Sequence, residues 1–479
     1  MPAQFLPLGA DSYEDNSYGF PTLKLENWFA ETSPDRNDRP YRLLPTPGLT
    51  SFATGLNGAV RGMFQADGLL SSKAVLVAGT KSYSMTDAGV TAEIAVKAGS
   101  TAIGSTYAAR FSGSQLDLCM TVGGNAYVID GTPEWVDITV GASSGDIVDT
   151  AEVAQRHLFL ENGTGRFWWS DPADAGTVQA TSFATAESEP DNLLALRVFG
   201  EAVYLFGTQS TELWGYTGDT EVPFRPLGLS IPVGIVGREA IAAADFGIFA
   251  VGIDRNAGST VVYRVEQGRP VRISTHPIER LIENVTAASR PDIKVSVHGW
   301  GGHVFVGLHL PAVGDYFYDV AGGTWHRRKE IGDERHVTDI YLAAFSKVFA
   351  GSRTAGTIYR LDRDVYEHDG SAVRRVAQVL VPVPDGRPPL DNLTVDMAPG
   401  VGLVSGQGSD PQVMMRHSPN GRTWSNEVTR SFGGLGEFDT RAVFDSLGRF
   451  APPVMGVEIA VSDPVPATVT GLVANRTRP

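Results

Sequence analysis

A unit of about 40 residues recurs along most of this 479-residue chain, and it limits the possible folds more than any other feature. Its clearest copy begins with the acidic Pro-Asp turn of residues 186–193. Two apolar runs follow at 194–199 and 202–206, and an aromatic-rich run follows at 207–216. Short strands separated by Gly-containing turns are typical of an antiparallel sheet unit. A repeat of this length predicts the blades of a β-propeller.

Seven stretches of the chain fit this unit, so the sequence predicts a propeller of about seven blades. Each isolated blade would expose two apolar faces, which circular stacking buries. Tyr and Trp residues near the strand ends are therefore expected to pack between blades. The predicted blade cores are residues 74–85, 108–129, 152–169, 193–216, 240–265, 295–325 and 337–361.

The segments that flank the repeat suggest two further parts of an all-β chain. Residues 1–50 are predicted to form an N-terminal extended arm, because the Pro-rich run 43–49 favours stiff, extended backbone. The propeller is assigned to residues 51–372. After residue 372 the period breaks, and several strand-like runs predict a small C-terminal β-sandwich or barrel over residues 373–479.

Composition excludes several classes of protein. Hydrophobic residues make up 42% of the chain and charged residues 19%, as expected of a folded globular protein. The net charge of −15 disfavours a general nucleic-acid clamp, which needs clustered Lys and Arg, but it is compatible with DNA passing without binding. The single Cys119 excludes an intrachain disulfide framework, and its position on a strand predicts a buried free thiol.

The sequence lacks the patterns expected of a signal peptide or a membrane span. The chain does not open on a charged and then apolar signal segment, and no apolar run reaches the roughly 18 residues of a membrane span. We therefore expect a protein that folds in a cytoplasm and makes no membrane contact.

No catalytic, cofactor-binding or metal-binding residues are predicted. The run Gly433–Gly436 lacks the spacing of a dinucleotide fingerprint, and no Walker loop, zinc spacing or nucleophile elbow is present. His298, His303 and His309 fall in one blade, but Gly301 and Gly302 interrupt their register, so structural roles are expected.

Several charged runs could in principle hold catalytic or binding residues. The carboxylate pairs Glu187/Glu189 and Asp333/Glu334 lack the apolar surroundings that would raise a pKa for acid catalysis, so turn positions in solvent are expected. The basic runs 41–42 and 326–329 are also interpreted as solvated turns. The alternative for these two runs is contact with an acidic partner or with DNA phosphates.

The stretch 418–424 is similar to the Asp-box turn of sialidases, with Asn420 in place of Asp. Asn-Gly supplies left-handed backbone geometry, and Trp424 is expected to pack under the hairpin as its main apolar anchor. The box occurs once and outside the predicted propeller, so a local structural role is expected.

Taken together, four stretches resemble the tail accessory or packaged DNA stabilisation proteins of short-tailed phages, also called tail hub or nozzle proteins. They occur in the same order over nearly the whole length. The stretches are residues 25–31 with 43–49, residues 165–171, residues 186–191 with 210–214, and residues 418–424 with 447–449 and 457–463.

The resemblance implies a structural virion protein rather than an enzyme. It implies a homo-oligomer, expected to be a hexamer, that sits below the portal–adaptor ring and closes the DNA channel. It further implies retention of packaged DNA, non-specific passage of double-stranded DNA, and docking of tailspikes, tail fibres and a tail needle or plug. The expected location is the virion tail, with assembly in the host cytoplasm. The family offers no catalytic residues to carry over, and the partner-binding residues are unknown at this point.

Two other functions remain open from the sequence. A β-propeller glycosidase would need buried carboxylates and an arginine cluster at the propeller mouth. A carbohydrate-binding lectin would need neither, and it could act as a monomer.

Overall fold

The computed structural model describes the chain from residue 4 to residue 476. Within these limits it leaves out residues 7, 9–11, 15–21, 33–40, 66–67, 105–107, 115–116, 130–131, 141–145, 187–190, 255–257, 267 and 387–388. In the described part of the chain, no helix is long and apolar enough to cross a membrane.

The N-terminal region contributes strands to two different parts of the molecule. These strands are β1 (Gln4–Leu6), β2 (Tyr13–Glu14), β3 (Thr22–Leu23), β4 (Leu25–Glu26), β5 (Trp28–Thr32), β6 (Tyr41–Pro45) and β7 (Gly48–Ala53). Strands β2 and β3 pair with each other.

Over the described residues, seven four-stranded antiparallel units follow one another as propeller blades. Blade 1 contains β8 (Val60–Gln65), β9 (Ala74–Ala78), β10 (Lys81–Met85) and β11 (Thr91–Ile94). Blade 2 contains β12 (Arg110–Gly113), β13 (Leu118–Val122), β14 (Asn125–Ile129) and β15 (Val136–Asp137). Blade 3 contains β16 (Ile147–Val153), β17 (Arg156–Glu161), β18 (Arg166–Trp169) and β19 (Phe183–Thr185).

The remaining blades continue the pattern. Blade 4 contains β20 (Leu193–Phe199), β21 (Ala202–Gly207), β22 (Thr211–Tyr216) and β23 (Phe224–Ile231). Blade 5 contains β24 (Ile241–Ala244), β25 (Gly247–Ile253), β26 (Thr260–Glu266) and β27 (Arg269–Arg272), and the helix α1 (His276–Glu283) follows it. Blade 6 contains β28 (Lys294–Trp300), β29 (His303–Leu310), β30 (Gly314–Asp319) and β31 (Thr324–Arg328). Blade 7 contains β32 (Thr338–Ala344), β33 (Lys347–Ser352) and β34 (Ile358–Asp362).

The seventh blade is completed by the N-terminal strand β7, which pairs with β34 and places Leu49 opposite Leu361. One blade thus contains residues from both ends of the propeller, which closes the ring through hydrogen bonds. The apolar cluster that joins blade 7 to blade 1 includes Phe349 and Leu76. Because β7 crosses the boundary predicted at residue 50, the N-terminal segment and the propeller share a sheet. The predicted domain boundaries themselves stay predictions.

Glycine turns connect strands within the blades, and aromatic side chains pack between blades, as the sequence repeat predicts. Gly301 and Gly302 make the two-residue turn between β28 and β29, with φ of 60° and 89°, a geometry that glycine adopts without strain. Between blades 3 and 4, Phe167 packs edge-on against Trp214, with ring centroids 5.1 Å apart. Such a pair contributes about 0.5–1.5 kcal/mol beyond the area that it buries. Aromatic residues therefore do pack between these blades.

The C-terminal strands form a sandwich together with N-terminal strands. They are β35 (Arg375–Pro382), β36 (Leu390–Met397), β37 (Gln412–Ser418), β38 (Val428–Ser431), β39 (Ala442–Gly448), β40 (Val454–Val461) and β41 (Val469–Arg476). One sheet has the order β39-β36-β41-β6-β5, with β1 also on β41. The other has the order β4-β35-β40-β37-β38 and continues into blade 6, because β4 runs parallel to β31.

The all-β prediction, a propeller followed by a sandwich, is therefore confirmed. Trp28 of β5 is fully buried in the sandwich core, and its indole N–H donates to the carbonyl oxygen of Ala467 at 2.7 Å. On the next position of the same strand, Phe29 packs edge-on against Phe305 of blade 6 at 5.1 Å between centroids. The described residues thus pass from the sandwich into the propeller and return to the sandwich.

Candidate functional site in the propeller channel

A cavity on the propeller axis is the first place to look for a binding site. Its volume is about 590 Å³, and the first strand of every blade contributes to its wall. The charged residues along the wall are Arg61, Arg110, Asp149, Glu152, Arg197, Glu239, Lys294 and Asp339. Positive and negative side chains are thus present in equal number on this wall.

Two of the cationic side chains in the channel form ion pairs with channel carboxylates. Arg197 lies 2.6 Å from Asp149, and Lys294 lies 3.1 Å from Glu239 and 3.2 Å from Asp339. Burial alone would lower the pKa of Lys294, but the two carboxylates raise that pKa above its usual value. The ammonium group of Lys294 therefore stays protonated, and the two carboxylates balance its positive charge.

The other two cations are held by backbone carbonyl groups. Arg61 donates to the carbonyl oxygens of Gly79 and Gly104, at 2.5 and 2.8 Å, and burial lowers its pKa despite the charge of Glu239. Arg110 donates to the carbonyl oxygen of Arg238 at 3.4 Å. An entering anion would have to compete with these existing partners, so the channel wall is poorly suited to hold phosphate groups.

A second polar region lies inside blade 6. The guanidinium of Arg328 sits over the rings of Phe317 and Phe305, at 4.1 and 4.8 Å from their centroids. It also contacts the Nε2 atoms of His326 and His298, each at 3.2 Å. Burial lowers the pKa of Arg328 to about 10. Burial and the neighbouring guanidinium hold the pKa of both imidazoles well below the usual range, so both are neutral acceptors.

Three of the histidines in blade 6, His298, His303 and His309, have separate partners. His309 lies 2.9 Å from Asp315, whereas His303 lies 2.8 Å from Asp319. The hydrogen bond to Asp319 raises the pKa of His303 above its usual value. His298 stacks on Tyr341 with ring centroids 4.0 Å apart. These contacts agree with the structural roles that were expected.

A third group brings together Glu330, His336 and His368, which are distant in sequence. Nδ1 of His368 lies 2.8 Å from one carboxylate oxygen of Glu330, and Nε2 of His336 lies 4.0 Å from the other. Burial alone would raise the pKa of Glu330, but the hydrogen bond from His368 and the nearby imidazoles lower it to about 2. Burial lowers the pKa of His336 to about 3. The spacing of these residues matches no metal or catalytic motif, so sequence analysis missed the group.

The basic run 326–329 is not a solvated turn, so that prediction was wrong. It belongs largely to strand β31, where His326 and Arg328 are buried. Arg327 and Lys329 both pair with Glu334, at 2.5 and 2.9 Å. Alternation along the strand explains the result, since every second side chain faces the interior. In the other basic run, Arg42 lies on β6 and pairs with Glu31.

The carboxylate pairs have different outcomes. Glu187 and Glu189 lie outside the described residues. Asp333 and Glu334 lie in a turn and are half exposed or more, and each forms an ion pair with a basic side chain. Asp191 accepts hydrogen bonds from the backbone N–H groups of Gln209 and Ser210.

The Asp-box-like stretch forms a local turn, but its tryptophan is not a core residue. The Asn420 side-chain oxygen accepts from the backbone N–H groups of Arg422 and Thr423, and Gly421 has φ of 70°. Trp424 is only partly buried and lies beside the guanidinium of Arg416, at 5.1 Å. The expectation that Trp424 is the main apolar anchor of the hairpin was therefore wrong. Cys119 is fully buried and free, as predicted, and burial raises its pKa.

Comparison with protein families identifies the chain over most of its length. Residues 4–366 match the family model described as bacteriophage P22 Gp10, beta-propeller. Residues 380–476 match the model described as bacteriophage P22 Gp10, beta-sandwich. The chain belongs to the P22 Gp10 family. This family comprises tail accessory and DNA-stabilisation proteins of short-tailed phages, so the resemblance drawn from the sequence is confirmed. A Gp10-family chain is a structural component of the phage tail.

Other comparisons add little to the Gp10 assignment. No curated protein matches the chain significantly. Among solved structures, the extracellular domain of the putative one component system BT4673 from B. thetaiotaomicron is 8% identical, with a TM-score of 0.43. The alignment covers 80% of this chain and 47% of that one, so this chain spans about half of its length. Virginiamycin B lyase from Staphylococcus aureus is 10% identical, with a TM-score of 0.41 and coverage of 63% and 94%.

Proposed function

We propose that this chain is the structural subunit of a tail hub or nozzle in a short-tailed phage. In this proposal about six copies form a ring below the portal–adaptor ring. The ring closes the DNA channel, retains packaged DNA, and docks tailspikes or tail fibres and a tail needle or plug. Membership of the P22 Gp10 family over both domains is the observation that carries the proposal.

The size of the propeller channel supports a passage built from several copies. A volume of about 590 Å³ equals that of a cube with an edge of about 8 Å. The major groove of a DNA duplex alone is about 12 Å wide. We propose that the DNA passage lies between subunits and not through the axis of one propeller.

The net charge of the chain supports a passage through which DNA moves without being bound by the protein surface. A net charge of −15 gives the phosphates of DNA little attraction to the protein surface. A strongly basic passage would bind phosphates and slow ejection. We propose that acidic or neutral groups dominate the surface that faces the DNA.

One exposed edge offers a contact surface for another copy. The outer strand of blade 4, Phe224–Ile231, exposes six consecutive residues. Leu227 and Leu229 on this strand are 50% and 59% exposed. Unpaired edge strands with apolar side chains readily associate with another chain. We assign this edge to contact between subunits of the ring.

Electron microscopy of the chain assembled with the portal and adaptor proteins of its phage tests the proposal. We expect a ring of about six copies, and we expect Leu229→Glu to reduce the number of copies in it without changing the melting of the free chain. Val90→Glu, at a turn residue that is 65% exposed in blade 1, is the matched control. Single copies at fibre tips would contradict the hub, and a passage lined by Lys and Arg would contradict the charge argument.

We also propose that the chain has no hydrolase activity. Three of the channel carboxylates, Asp149, Glu239 and Asp339, are engaged in ion pairs with Arg197 or Lys294. Carboxylates that are already paired with cations are poorly placed to serve as the acid and base of a hydrolase. We expect no turnover of polysaccharide or peptidoglycan by the purified chain. Reproducible turnover that is abolished by one carboxylate substitution would support the glycosidase alternative instead.

A further inference from the structure

We propose that Glu330, His336 and His368 form a binding site for one divalent transition-metal ion, with Zn²⁺ as the ion that fits best. One ligand atom from each of the three side chains lies within 4.8 Å of the others. Two imidazoles and one carboxylate are a common protein ligand set for zinc. The proposal is independent of any role in a phage tail.

The distances between the ligand atoms are close to those found at a tetrahedral zinc site. Zinc bonds to imidazole nitrogen and carboxylate oxygen are about 2.0–2.2 Å long, which places neighbouring ligand atoms roughly 3.3 Å apart in a tetrahedral site. Nε2 of His336 lies 4.0 Å from Oε1 of Glu330, and Nδ1 of His368 lies 3.0 Å from the same oxygen. The third pair of ligand atoms lies within 4.8 Å. Binding of an ion would therefore need the ligand atoms to approach one another by up to about 1.5 Å.

The hydrogen bonds of His336 allow its Nε2 atom to bind a metal. Its Nδ1 atom lies 2.9 Å from Oγ1 and 3.3 Å from the carbonyl oxygen of Thr338, and 3.2 Å from the backbone nitrogen of the same residue. Metal binding would select the tautomer in which Nδ1–H donates to the carbonyl or hydroxyl oxygen. This arrangement, in which a ligating histidine donates its other N–H to the protein, is usual at metal sites.

His368 has no competing partner in the described part of the chain. The only hydrogen bonds of its side chain there run from Nδ1 to the two oxygens of Glu330, and its Nε2 is buried without a partner. The side chain is 5% exposed. A buried imidazole nitrogen without a hydrogen-bond partner costs free energy. Packing alone therefore does not explain why a histidine occupies this position.

The surroundings leave room for a further ligand. A cavity of about 300 Å³ adjoins the group and is lined by Glu330, His368, Tyr359 and Asp369 among others. Water in this cavity could fill the remaining coordination position, as at zinc sites with three protein ligands. Mg²⁺ and Ca²⁺ prefer sites built from oxygen atoms, so the two imidazoles disfavour them.

The position of the group gives the ion a structural role. Glu330 follows the last strand of blade 6, and His336 precedes the first strand of blade 7. His368 lies between blade 7 and the sandwich, where its backbone bridges to Leu49 of β7. One ion would therefore join two blades and the connection to the sandwich. Because it binds the folded chain, we expect Zn²⁺ to raise the midpoint of thermal unfolding.

Calorimetric titration tests the site on the full chain, prepared without a histidine tag and stripped of metal with a chelator. We expect one Zn²⁺ per chain, with at least about 100-fold weaker binding in Glu330→Gln and in His368→Gln. The control is His276→Gln, because the His276 side chain is 82% exposed and outside the group. This control should bind Zn²⁺ as the wild type does.

Two results would overturn the proposal. One is the absence of saturable Zn²⁺ binding by the wild type. The other is equal binding by the folded Glu330→Gln and His368→Gln variants, with folding checked by circular dichroism. If a variant does not fold, Co²⁺ loading of the wild type decides. Visible absorption bands that Zn²⁺ displaces at one equivalent support the site, and bands that are absent or that excess Mg²⁺ abolishes refute it.

Discussion

Acidification from about pH 7.5 to about pH 5.5 is expected to lower the free energy of unfolding by about 1.4 kcal/mol for each of His298 and His326. Both imidazoles are buried next to the guanidinium of Arg328, and their pKa values lie well below the ordinary value of 6.5. In the unfolded chain the same groups take up a proton near that ordinary value. The unfolded state therefore binds more protons below 6.5, so stability is present above 6.5 and falls as the pH falls.

Urea unfolding of the wild type and of His298→Asn, measured at both pH values, isolates this effect. Asparagine can accept the hydrogen bond of Arg328 but cannot be protonated. On acidification, the free energy of unfolding of the variant should therefore fall by about 1.4 kcal/mol less than that of the wild type. This difference does not depend on the stability of the variant at the higher pH. His276→Gln, at an exposed position, is the control and should follow the wild type.

Comparing variants is necessary because other groups also titrate. The hydrogen bond to Asp319 raises the pKa of His303, so that residue adds stability as the pH falls and partly offsets the loss. Asp117 and Asp315, whose pKa values are lowered to about 2, contribute only below the range tested. An equal pH dependence in wild type and His298→Asn would show that the imidazole is not held neutral by its surroundings.

The repeating units were predictable because their turns and strands are local. Each predicted blade core overlaps one described blade, since Gly turns such as Gly301-Gly302 and alternating apolar residues depend on neighbours in sequence. The closure of blade 7 by Gly48–Ala53 was not predictable in the same way. It joins strands about 300 residues apart, and no local pattern records such a pairing.

Individual side chains were harder to place than strands. The run 326–329 is polar in sequence, yet Arg328 is buried because Phe305, Phe317 and two neutral histidines surround it. Those partners come from all four strands of blade 6. The group of Glu330, His336 and His368 likewise depends on the packing of two blades against the linker to the sandwich. Function was more accessible, because motifs spread over the whole chain resembled one family.

Replacing Asp315 with alanine is expected to cost about 3–5 kcal/mol of stability, because the change leaves buried donors and a positive charge without their partner. Asp315 lies fully buried on β30 of blade 6. One carboxylate oxygen accepts from His309 at 2.9 Å and from Arg335 at 3.0 Å, and the other accepts from the backbone N–H of His336 at 2.6 Å. The carboxylate thus fixes the segment that leads into blade 7.

Urea unfolding near neutral pH measures this loss, with Asp333→Ala as the matched control. Asp333 lies in the same region, but its side chain is 52% exposed and its ion pair with Arg353 is 3.2 Å long, so we expect a cost of about 1 kcal/mol or less. The double variant Asp315→Ala/Arg335→Met should lose less than the sum of the single variants, since it removes one unpaired cation together with its partner. Equal losses in Asp315→Ala and Asp333→Ala would contradict the role of the buried carboxylate.

Burial alone would raise the pKa of Asp315, but hydrogen bonds from His309 and the charge of Arg335 lower it to about 2. The advantage of the wild type over Asp315→Ala should therefore persist above the ordinary value of 3.8 and disappear as the pH falls through about 2.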